Sequence, residues 1–323
     1  MLNRPALRLF AAQHQFVFDP AAQPALIVDP GQTIIIETLD CFCGRLTADS
    51  PPLHDDKDVL AHIGGRYNPV NQPIFVRGAE PGDTLEVEIL DIELGKRQPF
   101  AVTHVAHDWA FRFGGAAFAG AVAPATIIAE IDGPRIRLPV AGRIIDFAAR
   151  PMIGTIGTAP TSEAVSSLLY GSGHGGNLDC PAIGPGVTIL LPVNVPGALL
   201  SLGDIHALMG DGEITGTAME SSADVAVRVS VRKGRDILTT PRLEDTASRG
   251  SIGCASGSSL QDNIQSAVLD LSASLQEDLG LSCRDALQLI NLFGKIVVNQ
   301  AVSADTNRWA SVFVAIEKAN LPL

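Results

Sequence analysis

This chain of 323 residues is short of positive charge, of cysteine and of long apolar runs, and each shortage excludes a class of function. Its 23 lysines and arginines stand against 35 aspartates and glutamates, a formal charge of −12 at pH 7, and the basic residues are not clustered. A nucleic-acid or anionic-membrane surface needs a positive footprint, so neither partner is expected, and a neutral or cationic one fits. The five cysteines (Cys41, Cys43, Cys180, Cys254 and Cys283) are odd in number and scattered, which suits a reducing compartment rather than a disulfide framework. No run approaches a membrane span. The segment from Met1 to Phe16 carries Arg4 and Arg8 but lacks the apolar stretch and small-residue cleavage site of a leader. A soluble cytoplasmic protein is the expectation. Gly-x-Ser-x-Gly and P-loop motifs are also missing, which argues against an α/β-hydrolase or a nucleotide-binding enzyme.

What is present is β patterning, with 46% hydrophobic residues to build a core. Thr33–Thr38 and Thr84–Ile89 read as strands, the second alternating Leu85, Val87 and Ile89 with Glu86 and Glu88. Pro30-Gly31 and Pro81-Gly82 mark tight turns ahead of them. Further strands are expected at Ala125–Ile131, Arg135–Pro139, within the glycine-interrupted apolar run Pro151–Pro160, and at Val225–Arg232, and a last one at roughly Trp309–Ile316. Cys41-Phe-Cys43 reads as a β segment with two half-buried thiols, a metal-binding pair being the alternative. A short helix fits Asp56–Ile63, and residues 112–123, rich in Gly and Ala, read as a surface loop serving as a lid or an oligomer contact. Helical spacing of Leu260, Ile264, Ala267, Val268, Leu271 and Leu275 follows a Ser259/Asp262 cap and stops at Gly280; a second helix starts at Ser282. The fold class is therefore mainly β: a sandwich region over 1–150, then an α/β region over 151–323 with the C-terminal helices, the two forming either separate units or one compact body.

Ligand-type side chains are densest between His174 and Glu220. His174-Gly-Gly-Asn177-Leu-Asp179 is followed by Gly203-Asp204-Ile-His206 and by Asp211-Gly-Glu213, with glycines that let short turns aim polar groups at one point. On extended backbone Asp204 with His206, and Asp211 with Glu213, each face one way. Asp179, Asp204, His206 and Asp211 form a set able to hold a divalent metal, Zn²⁺ for carboxylates with imidazole, Ca²⁺ or Mg²⁺ for oxygen ligands alone. Asp40, after the strand that ends in Glu37-Thr-Leu, and Glu220, beyond Gly216 and Ala218, are outlying candidates. The plain alternative is a series of Gly-Asp turns bonded to their own backbone. His174 is either a ligand or acid/base group or an exposed loop histidine, and His104 and His107 either align on a helix or are packing residues. Cys180 lacks the electropositive surroundings of a nucleophile.

At these residues the sequence resembles the acetamidase/formamidase family. The matching segments are Asn68-Pro69-Val70, Gly78–Ile89, Met152–Gly157, His174–Asp179 and Leu191–Glu213, of which Gly203–Glu213 is the most specific. The resemblance implies hydrolysis of the C–N bond of a short-chain amide such as formamide or acetamide, a jelly-roll-like β-sandwich joined to a mixed α/β part, a homodimer or higher homo-oligomer, and a divalent metal. It makes His174, Asn177, Asp179, Asp204, His206, Asp211 and Glu213 the site. One departure is Val102–Trp109, which replaces an aromatic-rich stretch of formamidase-like members and implies a different pocket size. The main expectation assigns water activation to the metal, the base role to Glu213 with His174 second, and the oxyanion to Asn177. Two alternatives stand beside it: the same pocket activating water without a metal, and a non-catalytic β-sandwich binding module with structural Ca²⁺.

Overall fold

The computed structural model describes residues 7–169, 171–234, 238–255, 257–302 and 310–322. Among the described residues, two large sheets carry the architecture. The first runs, in spatial order, Leu7–Leu9, Thr33–Thr38, Ala223–Arg232, Thr84–Leu94, Thr188–Pro192, Arg242–Glu244, Ser248–Gly253, Ala310–Glu317 and Lys295–Ala301. The second runs Arg143–Ala148, Arg135–Val140, Ala125–Asp132, Phe100–Val105, Met219–Ser221, Ser201–Leu208, Met152–Gly157 and Gly175–Asn177, with Val70–Asn71 and His14–Gln15 attached at its side. Each sheet draws strands from both sides of residue 150.

Period-two alternation decides how the sheets meet. Ile34 and Ile36, with Leu85, Val87 and Ile89, turn inward from the first sheet and pack in one cluster with Ile153, Ile156, Leu202 and Ile205 of the second. This is a β-sandwich: one apolar face per sheet, buried against the other. The strand Ala310–Glu317 is buried along nearly its whole length because both faces are covered. Phe313 and Ala315 enter the sandwich core, while Val312, Val314 and Ile316 meet the C-terminal helices.

The helices are α1 (Asp56–Ile63), α2 (His107–Ala121), α3 (Leu260–Leu279) and α4 (Cys283–Phe293). Asp55 caps α1, and a reciprocal Ser259/Asp262 capping box opens α3, which ends at Gly280 with φ 64°. Ser282 caps α4. Arg242 donates to both carboxylate oxygens of Asp270, at 2.7 and 3.0 Å, and so ties α3 to the first sheet.

Several sequence expectations are corrected. Residues 112–121 are not loop: alanine-rich sequence continues α2 through them, with a kink at Gly115 (φ 70°, ψ −166°). His104 lies on Phe100–Val105 and His107 opens α2, so the two do not align on a helix. Cys41 to Gly44 form a turn rather than a strand, with Cys43 at φ 58°. Arg143–Ala148 and Lys295–Ala301 are additional strands; the first is mostly exposed and so lacks alternation, and the second follows α4 across Gly294 alone. The last strand runs Ala310–Glu317, and Trp309 lies outside the described residues.

Candidate active site

Strand register assembles the site. Asp204 and His206, two apart on Ser201–Leu208, share a face, and His206 pairs across the ladder with Glu220 of Met219–Ser221. On the other side, Thr155 pairs with both Gly203 and Asn177. His206 Nε2 thereby lies 3.5 Å from Asp204 Oδ1, 3.5 Å from Glu220 Oε2 and 3.8 Å from Asp179 Oδ1, every one of these side chains buried. Asp179 Oδ1 and Glu220 Oε2 have no hydrogen-bond partner among the described residues.

The remaining oxygens are held from outside. Asn68 Nδ2 donates to Asp204 Oδ2 at 3.0 Å, and Thr155 Oγ1 lies 3.1 Å from the same oxygen and 2.7 Å from Asn177 Oδ1. Asn177 Nδ2 donates to the Leu168 carbonyl at 3.2 Å. Gln300 Nε2 donates to Asp179 Oδ2 and, at 3.0 Å, to Glu213 Oε2. The Ala218 amide donates to Glu220 Oε1 at 3.0 Å. Asn68, Asp179, Asp204 and Glu213 all adopt positive φ, between 41° and 58°, a conformation costly for a side chain with a Cβ. Such strain gathers where the surroundings hold a functional geometry in place.

Burial first, then Glu213 and Asp204, push Asp179 well above the usual carboxylate range. Burial likewise raises Glu220 and Glu213, with His206 opposing in both. For His206 burial acts downward, but Glu220 and Asp204 outweigh it and the imidazole is held well above its ordinary value. Four acids so close and so dry call for either a cation or retained protons.

A cavity of about 140 Å³ opens onto this cluster, lined at its polar end by Asn177, Asp179, Asp204, Glu213, Glu220 and Gln300. Of the residues singled out in the sequence, Asn177, Asp179, Asp204, His206, Glu213 and Glu220 come together. Three do not. Asp211 is exposed, because Glu213 at φ 43° breaks the extended backbone that would have turned both carboxylates one way. His174 is buried, bonded through Nδ1 to Ser172 and set edge-on to Phe18 at 5.3 Å, away from the cavity lining. Asp40 is buried behind Cys41, accepts from the Gly44 amide at 2.6 Å, and is raised by burial to about 6.

Sequence reasoning missed Asn68, Thr155 and Gln300, and offered Cys41 only as half of an alternative metal-binding pair with Cys43. Cys41 can bring its sulfur within 4.8 Å of Asp204 and Glu220 ligand atoms, as closely as Asp179, Asp204 and His206 approach one another. Burial and those two carboxylates hold its thiol well above the ordinary value. Asn68 and Thr155 lie inside segments that carried the resemblance. Gln300 had only one signal, a polar pair with Asn299 ending an apolar run.

Comparison with known proteins gives the chain its relatives. The pattern of the acetamidase/formamidase family matches residues 11–171 and 169–294. The acetamidase of Bacillus halodurans, a solved structure, is 33% identical, with 96% of this chain and 97% of that one covered at a TM-score of 0.83. An acetamidase of Mycolicibacterium smegmatis is 28% identical over 268 residues, 67% of this chain and 65% of that protein. A formamidase of Methylophilus methylotrophus is 26% identical over 255 residues, 64% of this chain and 61% of that protein. The chain thus spans under two thirds of the length of these last two relatives. With the family pattern covering most of its length and the fold shared end to end with a solved relative, the chain belongs to the acetamidase/formamidase family.

Proposed function

We propose that this protein hydrolyses a short-chain linear carboxamide, of the formamide or acetamide type, to carboxylate and ammonia. A C–O bond forms from water to the carbonyl carbon, the C–N bond breaks, and the water's protons end on the leaving nitrogen and in solvent. The observation that carries the reading is the buried cluster of Asp179, Asp204, His206, Glu213 and Glu220 at the end of a cavity, in a chain of this family.

The donor set fits a divalent cation. Two buried carboxylate oxygens, on Asp179 and Glu220, have no partner among the described residues, and their 3.5–3.8 Å separations from His206 Nε2 are longer than a good hydrogen bond. They are close to the ~3.4 Å between two ligands of one tetrahedral ion with bonds of about 2.1 Å. Asp179, Asp204 and His206 would hold it, with Glu220 beside them at 3.5 Å from His206 Nε2, and mixed imidazole and carboxylate donors favour Zn²⁺ over Ca²⁺ or Mg²⁺. A divalent cation held there would supply Lewis-acid chemistry, making water more acidic and the amide carbonyl more electrophilic. Glu213, raised by burial, takes the water's proton and returns it to the leaving ammonia. Asn177 gives the oxyanion the N–H that it does not spend on Leu168. Gln300 keeps Asp179 and Glu213 apart by donating to both.

Ammonia release from formamide through butyramide, measured on protein as purified, after chelation, and after adding back Zn²⁺, Mg²⁺ or Ca²⁺, tests this. Release that vanishes on chelation and returns with Zn²⁺ is expected. Release that survives chelation removes the cation from the scheme, and no release with the fold intact removes formamide through butyramide as substrates.

A further inference from the structure

The apolar end of the cavity has no task in the chemistry above. Its wall is Phe42, Tyr67, Trp109, Leu168 and Val302. Phe42 and Tyr67 meet edge to face at 6.1 Å, Tyr67 and Trp109 again at 6.1 Å, and His104 backs Trp109 at 5.5 Å. Asp56 Oδ1 accepts from the Tyr67 hydroxyl and from Trp109 Nε1, both at 3.1 Å. The polar tips of both rings are therefore satisfied within the protein, and what they offer an occupant is aromatic surface. Rings pinned in this way lose little entropy when a ligand arrives. The residues that line the mouth more openly are Asp56 and Arg112, the latter 3.8 Å from the carboxylates of Asp56 and Asp108.

Size is the second observation. A cavity of about 140 Å³ exceeds what formamide or acetamide fills, and lies close to the ~150 Å³ of an apolar protein cavity that takes up benzene. An amide bound at the acidic end with nothing on its acyl carbon would leave the aromatic wall facing water. Rings instead prefer offset or edge-to-face partners. The acids at the deep end also disfavour a negatively charged tail.

Resting on the amidase reading of the same site, the geometry points to primary amides with a neutral, ring-bearing acyl group, of benzamide or phenylacetamide size, as the substrate class preferred over formamide and acetamide. The amide head sits at the acidic cluster and the ring lies among Phe42, Tyr67 and Trp109.

The test is the kcat/KM for ammonia release from formamide, acetamide, benzamide and phenylacetamide on the full chain. For at least one ring amide it is expected to exceed the acetamide value tenfold or more, mainly through a lower KM. Trp109→Ala and the cavity-filling Leu168→Trp should each lower that ring-to-acetamide ratio at least tenfold, and Trp109→Phe should keep it within about threefold of wild type. Because the readout is a ratio within one preparation, partial unfolding cancels; Leu168→Trp alters the half-buried side of the wall should Trp109→Ala not fold. Acetamide or formamide turned over with ring amides no better overturns this inference and leaves the amidase reading standing. Turnover of none of the four, extended to butyramide, overturns both.

Discussion

Gly154 lies directly against Asp179: a Cβ at residue 154 would stand 2.6 Å from Asp179 Oδ1, and 2.7 Å from Asp204 Oδ2 as well. The absence of a side chain at this point of the strand Met152–Gly157 is what lets Asp204, on Ser201–Leu208, and Asp179, just past Gly175–Asn177, approach each other. Gly154→Ala should therefore displace both carboxylates. Amide turnover is expected to fall by roughly 100-fold, the usual cost of misplacing reactive groups by about an ångström. Overpacking should lower stability by about 1–3 kcal/mol. Steady-state ammonia release beside a urea melt checks both; wild-type turnover would show that Asp179 and Asp204 are not where the chemistry occurs.

Gln300 is the only bridge that the described hydrogen bonds provide between Asp179 and Glu213. Gln300→Leu keeps the bulk and removes both donations, so two buried carboxylate oxygens lose a partner. A loss of about 2 kcal/mol in stability is expected. Turnover should drop by tenfold or more, with the pH profile of kcat displaced toward higher pH as Glu213 loses a bond that favours its charged form. An unmoved profile would assign Gln300 to packing alone.

His104 and His174 are both buried, and burial lowers each from its ordinary value to about 4. Each is neutral in the folded chain where the unfolded chain, with a pKa near ~6.5, takes up a proton. Stability is thus complete above about pH 6.5 and declines as pH falls toward about 4, by on the order of 3 kcal/mol for each histidine. Denaturant midpoints measured from pH 7.5 to 4.5 check this, and His174→Gln should flatten the decline. A midpoint constant down to pH 5 in wild type would contradict it.

Asp270 holds Arg242 through two hydrogen bonds and also accepts from Ser251 at 2.5 Å, beneath α3. Asp270→Ala removes both of these hydrogen bonds from a nearly buried guanidinium, and about 2–3 kcal/mol of stability should be lost. Chemical denaturation of the variant measures it, and a loss below about 1 kcal/mol would mean that water replaces the carboxylate.

Local rules were readable where local physics decides. Ser259 with Asp262, and Gly280, bounded α3 in the sequence because capping is a contact between near neighbours. Alternation at Leu85, Val87 and Ile89 identified an inward face. Six site residues were legible as a dense polar stretch, but their grouping only in part. Asp204 and His206 meet as their spacing implies, although Asp204 does so at φ 58°, whereas Asp211 and Glu213 part company through a backbone angle. Asn68 and Gln300 reach the site across more than one hundred residues each, Asn68 to Asp204 and Gln300 to Asp179, so only the assembled sheets reveal them. Alanine in α2 was read as slackness beside its glycines, when helix propensity prevailed on either side of Gly115.

The bridge from Gly212 to Gln300 sets an order of events during synthesis. Asn299 accepts from the Gly212 amide at 3.1 Å, and the Ala301 amide donates to the Gly212 carbonyl at 2.9 Å, so the penultimate strand is stitched onto the acidic turn. Residues 68, 155, 179 and 204 leave the ribosome long before residue 300 does. Until then Asp179 and Glu213 lack the amide that separates them. A growing chain therefore carries an unfinished acidic cleft until Lys295–Ala301 has paired with the Gly212 turn.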